Sequence, residues 1–155
     1  MKTRNSVTIA GVLGAALVIA GALAQDTKPG GDEWVTPARA ARKQNPIPAD
    51  SAKMAKGKEL YEMACFACHG LAGKGDGSAA ASLERNGAPI RPGNLSEPKL
   101  WEQSDGTLFW KISEGRTPMP AFQESFSEED RWAIVIYVRS LAPKPTLNAQ
   151  AKGNP

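Results

Sequence analysis

Two cysteines and one histidine are all that the 155-residue chain has of thiol and imidazole metal ligands. Two cysteines cannot build the dense disulfide framework of a small secreted protein. They cannot supply a zinc site of four cysteines, or of three cysteines and a histidine. A single histidine excludes the finger with two of each and any histidine-rich cage. Charge of one sign is also scarce: 19 Lys and Arg against 16 Asp and Glu give +3, with no Arg- or Lys-rich block, which argues against a nucleic-acid partner. No segment repeats, so whatever site the chain holds occurs once.

Long hydrophobic runs are confined to the N-terminus. Lys2 and Arg4 precede an uncharged stretch from Val7 to Ala24, and Ala22-Leu23-Ala24 before Gln25 has the small-x-small form of a secretory cleavage site. Residues 1–24 are therefore expected to be a signal peptide. The alternative is an uncleaved anchor, because the run reaches the lower edge of a bilayer span. On either reading the rest of the chain is exported, to a periplasmic or other extracytoplasmic space. It is soluble there after cleavage, or held at the membrane by the anchor. The segment takes two basic and no acidic residues with it and leaves the remainder near neutral.

Residues 25–50 hold Pro29, Pro37, Pro46, Pro48 and Gly30-Gly31 with little apolar periodicity, and read as an extended arm or linker that Trp34 and Ile47 could pin to the domain. Residues 143–155 read as a flexible tail. The domain proper is expected over 51–142. Three helices are legible in it. The first spans about Ala52 to Ala64, with Asp50 or Ser51 as N-cap and Met54, Gly57, Tyr61 and Ala64 near one face. The second lies around Thr107–Glu114, capped by Ser104 or Asp105 and stopped at Gly115. The third, about Glu128 to Leu141, competes with a strand, because Ala133 to Val138 is rich in β-branched residues. Ser127-Glu128-Glu129-Asp130 resembles a capping box, Pro143 stops the segment, and no second strand-like run exists to pair with it; it is read as a buried helix. Gly70 to Lys99, with six glycines and three prolines, is expected to have little regular structure. Loops that long in a compact domain usually serve function.

All three scarce residues fall within five positions, Cys65-Phe66-Ala67-Cys68-His69. Cys-x-x-Cys-His is the attachment pattern of c-type haem. At a helix end, cysteines three apart lie on one side and can form thioethers with two vinyl groups, and the next residue brings its imidazole under the iron. A thioredoxin-like pair would need a βαβ context that is absent. A zinc site would have to recruit carboxylates, and a short-loop disulfide would leave His69 without a role. One covalently bound haem c with its iron is the expected cofactor, held by Cys65 and Cys68 and ligated by His69. With no second histidine, the opposite axial ligand is expected to be a methionine. Met54 and Met63 lie on the helix leading into Cys65, the same side as His69. Met119, between Pro118 and Pro120, is the axial candidate.

From these residues the sequence resembles class I cytochrome c over roughly 51–142. The likeness rests on Gly57…Tyr61, Cys65 to Gly70, Gly73-Lys74-Gly75-Asp76-Gly77, Pro92-Gly93-Asn94-Leu95, Ile112 to Gly115, Met119-Pro120-Ala121-Phe122 and Trp132…Tyr137. It is most similar to bacterial periplasmic members. The resemblance implies an all-α cytochrome c fold of three to five helices around one haem, with the terminal helices crossing at right angles. Gly57 would permit the close approach there, and Tyr61 and Tyr137 would pack at it. It also implies a carbonyl accepting the other ring N–H of His69, for which Pro92 fits best and Pro89 is the alternative. Arg85, Arg91, Arg116 and Trp101 are candidate donors to the haem propionates. Each has an ordinary surface or packing role as its competitor, and Trp110 is read as packing.

The expected function is electron transfer in a respiratory or periplasmic redox chain, without bond chemistry, between redox partner proteins. One competitor is a haem subunit docked in a larger oxidoreductase or oxidase. Another is a peroxide-, NO- or CO-binding haem protein in which Met119 is labile.

Overall fold

The first long helix starts where the sequence changes from proline-rich to capped, at Asp50. The computed structural model describes residues 34–88 and 90–144. The signal or anchor, residues 25–33 of the arm, Pro89 and residues 145–155 of the tail lie outside the described residues. Six α-helices and one 3₁₀ turn are described: α1 (Ala38–Ala41), α2 (Ser51–Ala64), α3 (Phe66–His69), α4 (Ala80–Arg85), the 3₁₀ turn Pro98–Glu102, α5 (Asp105–Glu114) and α6 (Glu128–Leu141). Among the described residues there is no strand, only an isolated bridge between Arg116 and Met119. The all-α expectation holds.

The three long helices owe their starts to side-chain caps. Asp50 accepts from the Lys53 amide at 2.8 Å, Ser104 from Thr107 at 3.1 Å and Ser127 from Asp130 at 3.1 Å. Glu128, Glu129 and Asp130 put three carboxylates in the first turn of α6, where the helix dipole favours them. That start, with no strand to pair against, overrides the strand propensity of Ile134, Val135 and Ile136. All three are buried, which suits a helix that is apolar on most of its faces.

α2 and α6 form the principal helix interface. Tyr61 and Val135 are wholly buried, Trp132 and Ile134 nearly so, and the Tyr61 and Tyr137 rings meet at 5.1 Å. Phe109 of α5 stacks on Trp132 at 4.0 Å, and Leu108, Ile112, Phe122 and Leu100 complete the core.

Three short elements depart from the reading of the sequence. α3 is a single turn closed onto Cys65. α4 lies inside the stretch expected to be irregular, where Ala79-Ala80-Ala81 supplies helix propensity that the surrounding glycines and prolines mask. α1 lies in the segment read as an extended arm, and that segment packs from Trp34 onwards. Trp34 meets Trp110 edge-on at 6.3 Å, the Ser104 hydroxyl donates to the Ala41 carbonyl at 2.6 Å, Asn45 donates to the Trp132 carbonyl, and Ile47 rests on the core. Residues 34–50 thus tie the N-terminus of α5 to the face of α6. No helix among the described residues is long and apolar enough to cross a membrane.

Candidate functional site

Cys65 is at once the C-cap of α2 and the N-cap of α3, so the chain turns there without leaving helical geometry. The His69 and Cys68 amides return to the Cys65 carbonyl at 2.9 and 3.2 Å, which stacks Cys65, Cys68 and His69 around one turn. Both thiols are free and half-buried. Burial, reinforced by the neighbouring Cys68, pushes the Cys65 thiol up to about 12.

A one-turn helix leaves its carbonyls without helical partners. The glycine-rich segment supplies them: Ala79 donates to Ala67, Gly77 to Cys68, Gly75 to His69 and Gly73 to Gly70, all at 2.8–3.1 Å. The buried Tyr61 hydroxyl adds a 2.7 Å bond to the Gly70 carbonyl, and burial holds its pKa well above the usual phenol value. The run Gly73-Lys74-Gly75-Asp76-Gly77 is therefore the capping strap of the Cys65–His69 turn. At Gly75, φ is +76° and an added Cβ would stand 2.5 Å from the Pro92 carbonyl, so no side chain fits.

His69 Nδ1 lies 3.1 Å from the carbonyl of Gly93. This corrects the acceptor expected at Pro92, whose carbonyl faces Gly75 instead. The Pro92 and Gly93 oxygens both lie near Gly75, Pro92's the closer, so a shift of one residue along the segment exchanges the acceptor. The segment is held by the Leu95 amide on the Gly73 carbonyl and by the Asn94 side chain accepting from the Ser96 amide at 2.9 Å. With the proton on Nδ1 donated to Gly93, Nε2 is the nitrogen free to bind a metal. Burial lowers the His69 pKa, the Gly93 hydrogen bond opposing it, and the net effect favours the neutral ring that a metal requires.

Of the methionines considered, Met63 is 64% exposed, whereas Met119 is half-buried against the core cluster. Met119 sits in a turn closed by reciprocal bonds with Arg116, at 2.8 and 2.9 Å. The candidate propionate donors divide. The Trp101 indole N–H donates to the Ala142 carbonyl at 3.4 Å beneath the Arg139 guanidinium, the packing role that competes with a place among those donors. Arg85 bonds Ser82 and Arg91 pairs with Glu84, both at the exposed surface. Arg116 contributes its backbone to the Met119 turn.

Two free thiols one turn apart, with an imidazole oriented by its outer nitrogen, are a donor set that fits covalent haem c. The comparisons with known proteins agree. Residues 52–138 match the family model described as cytochrome c oxidase, cbb3-type, subunit III. The chain belongs to this family. It is a c-type cytochrome, a family whose cofactor is haem c with its iron. The cytochrome is 34% identical over 115 residues to the cbb3-type cytochrome c oxidase subunit FixP of Bradyrhizobium diazoefficiens, covering 72% of this chain and 36% of that protein. It is 33% identical over 95 residues to subunit CcoP of Azospirillum sp. strain B510, covering 60% and 30%. It spans about a third of the length of these relatives. Among solved structures it is similar to a chain of the reducing HAO-like protein complex of Kuenenia stuttgartiensis, with 29% identity and a TM-score of 0.54, covering 63% of this chain and 47% of that one.

Proposed function

We propose that Cys65 and Cys68 carry the thioether attachments, that His69 and Met119 are the two axial ligands, and that the domain passes single electrons as part of a larger oxidase assembly. The observation that carries the reading is the Cys65–His69 turn with its imidazole fixed on Gly93. When bound, haem c supplies a one-electron Fe(III)/Fe(II) couple. The chain's own part is to hold the donors still. The Gly93 carbonyl keeps the proton on Nδ1, the glycine strap fixes the turn that bears the thiols, and the Arg116–Met119 turn restrains the thioether. With His69 and Met119 both bound to the iron, no position would be open to a substrate, and the residues would support electron transfer without bond chemistry.

Met119→His tests the ligand set. The variant should retain its haem, lose the weak Met–iron charge-transfer band and fall in potential by a sizeable part of the roughly 0.8 V that axial ligands span. A native protein without that band overturns the assignment.

Membership of an oxidase assembly is supported by the names of the relatives and by the near-neutral charge outside residues 1–24, which gives weak steering to a diffusing partner. Residues 1–24 fit an export signal or anchor that places the domain in the periplasm. On this reading the protein co-purifies with an oxidase from native membranes after washing at high salt. Complete release into the wash would show a freely diffusing carrier instead.

A further inference from the structure

Between Ser113 and Ser127 the chain leaves α5, carries Met119 outwards and returns to α6. The excursion is closed near its root: the Phe122 amide donates to the Ile112 carbonyl at 3.1 Å and the Gln123 amide to that of Ser113 at 3.3 Å. Phe122 and Phe126 stack at 5.4 Å and anchor the returning arm on the core. Gly115 turns the outgoing arm with φ +63°, and an added Cβ would lie 2.5 Å from the Ala121 nitrogen.

Arg131, on α6, spans this neck. One Nη donates to the Ser113 hydroxyl, at the outgoing end, and Nε donates to the Ser127 carbonyl at 3.4 Å, at the returning end. Its guanidinium carbon lies 4.8 Å from the centre of the Phe109 ring. Ser113 is 4% exposed, and its hydroxyl donates to the Phe109 carbonyl at 2.8 Å, so its oxygen is set to accept from Arg131. A buried hydroxyl that both donates and accepts has little rotational freedom left. The planar guanidinium fork joins two acceptors at fixed spacing, which an ammonium does not.

We propose that Arg131 is the positioning residue of the Met119 segment: by joining Ser113 to Ser127 it keeps the neck shut and the thioether in place. The inference rests on Met119 as axial ligand. A methionine leaves its metal more readily when the backbone that carries it opens, and such local opening is governed by the bonds at the neck rather than by global unfolding.

The test uses the full-length haem-loaded protein and its Arg131→Gln, Arg131→Lys and Ser113→Ala variants. Amide hydrogen exchange at Phe122 and Gln123 should quicken by about tenfold or more in Arg131→Gln and Ser113→Ala, as expected for loss of a hydrogen bond to a charged group, with Arg131→Lys between them and native. Exchange in α2 should be unchanged. The Met–iron band should disappear on warming before the helices melt, and CO should bind the reduced variants faster than native. Unchanged exchange at Phe122 and Gln123 overturns the proposal, as does a rise shared equally by α2, which would mark general destabilisation. Faster exchange in a protein that never shows the Met–iron band leaves the clamp but overturns its purpose, and the ligand assignment with it.

Discussion

The double substitution Cys65→Ser, Cys68→Ser should give a protein that surrenders all of its haem to acidified organic solvent, where the native chain retains it through denaturation. A serine hydroxyl does not form the thioether, so the group would be held only by its axial ligands and by packing. The fold should suffer as well. A domain of this size is small for an apolar core alone, and the glycine strap, Tyr61 and Gly93 are all bonded to the segment Cys65 to Gly70. Without the covalent links, binding becomes a reversible equilibrium that no longer favours the native state at every concentration. A loss of roughly 2 kcal/mol would lower the melting temperature by about 10 °C in a domain of this length. The measurement is haem staining of the denatured chain together with a thermal melt. Haem that stays with the double variant after denaturation contradicts the assignment of the two cysteines.

Gly57→Val should leave little folded protein, and Gly57→Ala should already be strongly destabilised. An added Cβ at this position would lie 2.0 Å from the Ala133 carbonyl oxygen and 2.7 Å from its carbon, with Tyr137 Cβ at 3.0 Å. The two Ala133 atoms are backbone of α6 and Tyr137 Cβ is fixed to that backbone, so none of them can rotate away. The helices would have to separate, and with them the buried contacts of Tyr61, Trp132, Ile134 and Val135. Alanine gains about 1 kcal/mol of helix propensity over glycine. Forced overpacking costs typically 1–3 kcal/mol even where side chains can yield, so the clash prevails and valine should exceed 4 kcal/mol. Urea unfolding followed by circular dichroism reads the change. A Gly57→Ala variant as stable as the native protein would show that α2 and α6 do not cross as closely as described.

The capped helices were legible because their signals are local. Asp50, Ser104 and Ser127 sit beside the amides they satisfy, and the apolar residues of α5 recur at the helical period. The short helices were not, since α3 and α4 are too brief to show a period and α1 is flanked by prolines. Trp34 and Ile47 stood out in the arm as apolar residues without a periodic context. Their partners Trp110 and the core lie far along the chain, so the packing of residues 34–50 had to come from the structure.

What the sequence determined by itself is the chemistry: two thiols and an imidazole confined to five residues admit a single attachment pattern, because bond formation depends on residue type and on spacing along one helical turn. Only the tertiary structure decided what orients those groups. The acceptor for His69 is a backbone carbonyl 24 residues away at Gly93, and every residue carries a carbonyl, so residue identity cannot mark it. The glycine strap is bound by amides that glycine shares with nearly every residue, and the sequence shows only that side chains are missing there. The bond of Arg131 to Ser127 stays within one helical turn, but only the fold brings Ser113, from α5, to its other end. Those contacts depend on how distant segments meet in three dimensions, which no local window of the sequence records.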